Sequence, residues 1–182
     1  MREYRQHGDV GALLDRVKAL VRDAPAEALA SAASPYMDLP EVVIPVYERI
    51  VEARPTEAQP MVVLANVYWL TGRGADVVGE LAERARGVDP ANRGAWHLWA
   101  LAQSDPRARM ERWREVSERF PADQLARAAL ADNAASVAGA EHDPRALDLA
   151  VQTYEGLWAE ASRDEERRAL EETIAKLKGW KL

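Results

Sequence analysis

The chain has 182 residues, a length that suits one domain with room for a sizeable core. Its formal net charge of −6 argues against a dedicated nucleic-acid binder, because such proteins usually present a basic face. It contains no cysteine, which excludes disulfides, thiolate zinc sites and cysteine nucleophiles and fits a reducing, cytoplasmic setting. Residues 1–8 are polar and do not read as a signal peptide, and no apolar run is long enough to span a bilayer. We therefore expect a cytoplasmic protein that binds neither nucleic acid nor membrane.

Apolar residues recur along the whole chain at the spacing i, i+3, i+4, i+7, which predicts amphipathic helices and an all-α fold. The first helix is predicted over about 9–22, with Asp9 as its N-cap, and a shorter second helix over 25–33. A third covers about 41–53. Because a proline deep in a helix costs roughly 3 kcal/mol, Pro45 predicts a start at Glu41 or Val42, or a bend.

The clearest pattern is a helical hairpin over residues 55–90. Thr56 and Gln59 read as a capping box that places Pro60 in the first turn of its first helix. That helix has a stripe of large and small apolar residues and should stop at Gly72. The stripe consists of Met61, Leu64, Ala65 and Tyr68. The second helix has a comparable stripe and should stop before Pro90. Its members are Val77, Val78, Leu81, Ala82 and Ala85.

The second half of the chain carries repeated start and stop signals. Four residues read as N-caps: Asn92, Asp105, Asp123 and Asp143, two of them followed by proline at the first helical position. Gly139 is expected to end one helix. Ser162 and Glu165 read as the capping box of a last helix over 164–178, which Gly179 should terminate. The total is about ten helices.

The hairpin resembles the tetratricopeptide repeat. The residues Met61, Leu64, Ala65, Tyr68 and Gly72, followed by Val78, Ala82, Ala85 and Pro90, are similar to the family pattern of large, Leu, small, Tyr, then Ala, aromatic, Ala, Pro. The intervals between Pro55, Pro90 and Pro121 fall on either side of the family period of about 34 residues, so the repeats are degenerate. The resemblance covers about 40–178.

The resemblance implies a single right-handed solenoid of helical hairpins over 1–182. Residues 164–178 would form a capping helix, and it is open whether 1–40 is a true repeat. In this family the first helix of each pair lines a concave groove. By position that lining is Gln59, Val62, Asn66, Trp69, Gly94, His97, Leu101, Leu125, Ala128, Asp132 and Ala135.

Trp69 is the preferred anchor in this lining, because its neighbour Tyr68 occupies the inward position. Asn66 matches one position of the carboxylate clamp of chaperone-binding members. The lysines of that clamp are missing, so a clamp is not expected. The mixed apolar and polar lining fits a helix or an extended peptide of a partner protein.

The other tryptophans and the ionisable residues favour structural roles. Trp96, Trp99 and Trp113 should pack in the core and Trp158 under the last helix, while Trp180 is either a docked tail or a partner contact. His7, His97 and His142 form no ligand motif, and the acid pairs Glu165–Glu166 and Glu171–Glu172 should be solvated. The arginines 107, 109, 112 and 114 should be mostly solvated surface, with an acidic partner or RNA as the alternative.

These observations favour a non-catalytic scaffold or adaptor without metal or cofactor. The alternative is a self-associating structural module, a homodimer whose groove is occluded by its own helices, joined through residues 9–21 or Trp180. An enzyme or small-ligand binder would need an enclosed pocket with convergent polar groups, which no motif supports.

Overall fold

The computed structural model describes residues 9–181. The polar start at 1–8, with His7, lies outside the described residues. Residues 9–181 form ten α-helices and one short 3-10 turn, and no strand occurs among them. The helices are α1 (Val10–Asp23), α2 (Ala26–Ala33), α3 (Pro40–Ala53), α4 (Ala58–Leu70), α5 (Ala75–Val88), α6 (Arg93–Leu101), α7 (Pro106–Arg119), α8 (Gln124–Glu141), α9 (Pro144–Glu160) and α10 (Asp164–Lys178). The all-α prediction is therefore confirmed.

Five of the helices begin at the N-caps that the sequence indicates. In each case the side-chain oxygen accepts a hydrogen bond from a first-turn amide, and the five caps are Asp9, Asn92, Asp105, Asp123 and Asp143. Such a bond satisfies one of the amides that a helix start leaves without a partner, and its loss typically costs about 1 kcal/mol.

The capping box predicted for α4 is wrong. The residue before α4 is Glu57 in extended conformation, and no side chain caps the helix. Gln59, which the box would have used, instead accepts a hydrogen bond from the Asn92 side chain at 3.4 Å. Pro60 nevertheless lies in the first turn, where its missing amide hydrogen has no helical partner to lose.

The capping box predicted for α10 is also wrong. The helix begins after Arg163 rather than Ser162, and it has no side-chain cap. Its first turn holds three acidic residues, Asp164, Glu165 and Glu166. Their charges favour the positive end of the helix dipole, which supports this start without a cap.

Pro45 lies inside α3, which starts at Pro40 and continues to Ala53. The predicted start at Glu41 or Val42 is therefore one to two residues late. Since Pro45 has no amide hydrogen, the Glu41 carbonyl loses its helical donor. Burial of the apolar face offsets this loss, because Val42, Val43, Val46 and Ile50 are almost fully buried.

Gly139 does not end α8, contrary to the prediction. The helix continues to Glu141 and stops at His142, whose φ of 53° is left-handed. Gly139 instead allows a close approach, because a Cβ there would lie 3.3 Å from the Trp180 ring. Gly72, with a φ of 70°, does follow the end of α4 as predicted.

The chain divides into two compact units, Met1–Leu98 (unit 1) and Trp99–Leu182 (unit 2), with the boundary inside α6. In unit 1, α1, α2 and α3 share one buried apolar cluster, in which Leu13, Val17, Leu29, Val42 and Ile50 take part. The α4–α5 hairpin buries its predicted stripes except for Val77, which is exposed.

Unit 2 is built on alanine. In α8 and α9 the buried positions include Ala126, Ala131, Ala134, Ala146 and Ala150. Small side chains allow two helix axes to approach closely, and α7 adds the larger Met110, Trp113 and Val116. Helix α10 packs on α9. The single-domain organisation and the role of α10 as a cap remain predictions.

Candidate functional site

The residues expected to bind a partner in unit 1 lie along one side of α4. Gln59, Val62, Asn66 and Trp69 follow each other at intervals of three or four residues, so they form a stripe, called here the α4 stripe. Asn66 is exposed and makes no hydrogen bond to another described residue. The Trp69 side chain is 38% exposed, although it is large and apolar.

The start of α6 packs against the first half of the α4 stripe. Asn92, the N-cap of α6, donates a hydrogen bond to Gln59, and a Cβ at Gly94 would lie 3.0 Å from Val62 Cγ1. A side chain larger than hydrogen at position 94 would therefore need Val62 to shift by a few tenths of an ångström. His97 lies one turn further along α6 and is half-buried. The structure thus brings Gln59 and Val62 together with α6 and leaves Asn66 and Trp69 more open.

Tyr68 fixes which side of α4 faces inward. Its hydroxyl donates a hydrogen bond to Glu48 of α3 at 2.5 Å, and its ring is buried. Burial, and then the bond to the Glu48 carboxylate, raises the pKa of Tyr68 to about 12. With Tyr68 held inward, the next residue along the helix must point elsewhere, which leaves Trp69 exposed.

Leu70 is an exposed apolar residue of unit 1 that the sequence reasoning missed. It is 75% exposed in the last turn of α4, directly after Trp69. The sequence could have indicated this exposure, because the turn at Thr71 and Gly72 ends the helix directly after Leu70. The last turn of α4 therefore presents two adjacent apolar side chains.

The residues expected to bind a partner in unit 2 are less available than Asn66 and Trp69, because they are half-buried or already accept an internal hydrogen bond. Ala128 and Asp132 lie one turn apart on α8, and Ala128 and Leu101 are half-buried. The Asp132 carboxylate already accepts a hydrogen bond from the Tyr154 hydroxyl. Burial and this bond raise the pKa of Tyr154 above its usual range. Asp132 therefore acts first as an internal acceptor.

Arg109 and Arg112 of α7 are engaged within unit 2, so for these two the prediction of solvated surface is wrong. The side chains of Arg107 and Arg114 are 46% and 41% exposed, as predicted. Arg109 donates to the Asn133 side chain at 2.7 Å, and Arg112 donates to the Trp99 carbonyl and lies over the Trp99 ring. Arg107 binds the carboxylates of Glu141 and Asp143. The remaining arginine, 114, pairs with Glu111 on its own helix.

Trp99 and Trp113 are buried as predicted. Trp96 is half-buried at the edge of its helix, where its Nε1 donates to the Pro90 carbonyl at 2.9 Å. The Arg86 guanidinium covers the Trp96 ring at 4.1 Å from the centroid. These three tryptophans therefore serve packing and not an open binding face.

The two C-terminal tryptophans are both 41% exposed. The prediction that Trp158 packs under the last helix is wrong, because α10 leaves its side chain exposed. The Arg167 guanidinium of α10 lies 5.8 Å from the centroid of the Trp158 ring. Trp180 lies against Gly139 of α8 and is a docked tail.

Within residues 9–181, no three His, Asp or Glu side chains are grouped so that they could hold a metal ion. Across the same range, no helix combines the length and the apolar character needed to cross a membrane.

No protein-family model matches the sequence, and no curated protein matches it. Two crystal structures of MamA are similar to this chain, each at 16% sequence identity. One matches over 96% of this chain and 95% of its own, with a TM-score of 0.61. The other matches over 89% and 91%, with a TM-score of 0.62. This likeness and the ten helices of residues 9–181 together show that the chain has a tetratricopeptide-like, all-α helical fold.

Proposed function

We propose that this chain is a non-catalytic protein–protein interaction scaffold that binds a segment of a partner protein along the α4 stripe. The observation that carries the proposal is the pairing of an exposed indole with an amide that lacks an internal partner. Trp69 and Asn66 are neighbours on one helix side, three residues apart. An aromatic anchor beside a free polar group is the usual composition of a peptide-binding surface.

Each residue of the stripe has a defined role in this proposal. Trp69 supplies most of the binding free energy, because burying an aromatic side chain removes a large apolar area from water. The Asn66 amide donates to and accepts from the main chain of the partner. Gln59, Val62 and His97 border the α6 end of the stripe and limit the size of the side chains that fit there.

Unit 2 would offer a second, weaker set of contacts at Leu101, Ala128 and Asp132. The bond from Tyr154 occupies one oxygen of Asp132, so only the remaining acceptor capacity is open to a partner. We therefore expect substitutions in this set to weaken binding less than Trp69→Ala.

Site-specific photo-crosslinking tests the proposal. A benzophenone amino acid replaces Trp69 in one sample and the exposed Glu80 of α5 in a matched control. After irradiation in native lysate, mass spectrometry identifies the crosslinked peptide. We expect one defined segment of another protein at position 69 and none at position 80. Identical crosslinks at both positions, or crosslinks only to this chain, would reject the proposal.

A second candidate function is self-association through α1. Val10 and Leu14 lie one turn apart on this helix and are 49% and 36% exposed. Light scattering of the wild type and of Leu14→Lys tests it. A dimer that the substitution converts to monomer would favour this candidate, and a wild-type monomer would eliminate it.

A further inference from the structure

A groove in unit 2 runs along the outer side of α9, beside α10. Two adjoining cavities form it, with volumes of about 410 and 330 Å³, and both include Glu155. The first is lined by Leu147, Asp148, Val151, Gln152, Glu155 and Lys178. The second is lined by Glu155, Trp158, Ala159, Glu171 and Ile174. This surface is called here the α9 groove.

The groove exists because α9 carries more apolar surface than its neighbours cover. Its inner side packs through Ala150, Tyr154 and Leu157, which are buried. A second apolar stripe, including Val151 and Trp158, lies next to this inner side. Helix α10 only borders it, since Leu177 is the one fully buried residue of that helix.

The charges around the α9 groove are predominantly negative. Three carboxylates and one ammonium group line it. The ammonium belongs to Lys178 and pairs with Glu155 at 2.6 Å. Asp148 and Glu171 have no ion pair or hydrogen bond to another described residue. The groove therefore has an uncompensated carboxylate beside each cavity.

Arg167 limits the groove at its Trp158 end. Its guanidinium lies 5.8 Å from the centroid of the Trp158 ring, and its Nε donates to the Ala161 carbonyl at 2.8 Å. This arginine is thus held by the protein itself and does not neutralise Glu171.

We propose that the α9 groove binds a cationic amphipathic helix of a partner protein. The lining residues of α9 span from Leu147 to Ala159, about 18 Å along the helix axis, which matches about three turns of a bound helix. One apolar anchor would enter the cavity at Val151 and a second would cover Trp158 and Ile174, about two turns further on. Lysines or arginines on the two flanks would pair with Asp148 and Glu171. The proposal concerns other residues than the α4 stripe and does not depend on it.

Two synthetic helical peptides serve as the probe. Both are amidated, fluorescein-labelled 16-residue sequences with leucine pairs two turns apart; one has lysine on both flanks and the other glutamate. Fluorescence anisotropy with the full chain at low salt measures binding. We expect the lysine peptide to bind at least about tenfold more tightly, because the unpaired carboxylates attract one peptide and repel the other. Equal binding of the two peptides would overturn the proposal.

Charge-reversal variants locate the peptide. Glu171→Lys should weaken the lysine peptide roughly fivefold and strengthen the glutamate peptide. The matched control is Glu172→Lys, an exposed acid on the same helix outside the groove lining, which should change neither. If both substitutions act alike, the peptide is attracted only by net charge and the proposal fails.

Two further readouts separate this proposal from the others. Trp69→Ala should leave lysine-peptide binding unchanged, and a loss would place the peptide on the α4 stripe and overturn the assignment. Light scattering without peptide should show the same mass for wild type and Glu171→Lys. A dimer that Glu171→Lys dissociates would make a second copy of this chain the occupant, and would overturn the proposed partner.

Discussion

The α4–α5 hairpin of unit 1 and the α9–α10 pair of unit 2 expose tryptophans for different reasons. In α4 seven residues are buried, and Trp69 is exposed because Tyr68 takes the inward position next to it. In α9–α10 the packing is incomplete, and Trp158 is exposed because α10 buries little. An exposed aromatic residue can therefore mark an outward position of a complete hairpin, or a position beside the packed side of a helix that the neighbouring helix does not cover.

The largest expected difference lies in the cores of the two pairs. Met61→Ala in α4 should reduce the free energy of unfolding by about 3–4 kcal/mol, whereas Leu177→Ala in α10 should cost about 2 kcal/mol, because a poorly covered helix can collapse around the cavity. Urea unfolding of both variants measures the difference. Equal losses would show that α10 is as well packed as α4 and would break the comparison.

Two glycines should respond to alanine with opposite signs. Gly74 before α5 has a φ of 106°, and a Cβ there would lie 2.7 Å from Asp76 Oδ1, so Gly74→Ala should destabilise by about 1 kcal/mol. Gly139→Ala should stabilise by about 0.5 kcal/mol, because alanine favours the helix and the terminal Trp180 can shift. Thermal unfolding of both variants is the measurement. Destabilisation by Gly139→Ala would show that the Trp180 contact contributes more than the helix gains.

The smallest expected difference concerns the two tyrosine hydroxyls, which should behave alike in both units. Tyr68→Phe and Tyr154→Phe each remove one hydrogen bond to a carboxylate and should cost about 1 kcal/mol near neutral pH. Urea unfolding at pH 7 measures both losses. A much larger loss for one variant would show that the two hydrogen bonds do not contribute equally.

The pH dependence sharpens the tyrosine comparison. The folded-state pKa of Tyr68 is raised from 10 to about 12. The contribution of its hydroxyl to the free energy of unfolding is therefore full below pH 10 and is lost as the pH rises towards 12. Tyr68→Phe should lose less stability than wild type over that interval. If the free energy of unfolding falls equally in wild type and variant over this pH interval, Tyr68 does not cause the loss of stability.

Local signals predicted most of the fold, and tertiary contacts account for the errors. N-caps such as Asp105 act within one helical turn, so the sequence around them is sufficient. Gly139 was misread as a helix end because Trp180, far along the chain, explains it. The Thr56 and Ser162 capping boxes failed because a Ser or Thr three residues before Gln or Glu is only one of several possible helix starts.

Of the two candidate sites, local sequence spacing located the α4 stripe, whereas the α9 groove depends on tertiary packing. The helical period was enough to place Asn66 and Trp69 on one side of α4, but it does not show whether a partner binds there. The α9 groove was missed, and Glu171 was interpreted as plain solvated surface. The second apolar stripe at Leu147, Val151 and Trp158 was the available signal. How far α10 covers that stripe depends on the crossing of two helices, which sequence spacing does not give.

The ion pairs of Arg107 have a consequence for how unit 2 opens. Asp143 caps α9 through the amides of Arg145 and Ala146, and the same carboxylate binds Arg107 at the start of α7. Fraying of the first turn of α9 therefore also disturbs a contact of α7. The amide hydrogens at these two helix starts should exchange with solvent as one cooperative group, so that neither helix start frays independently of the other.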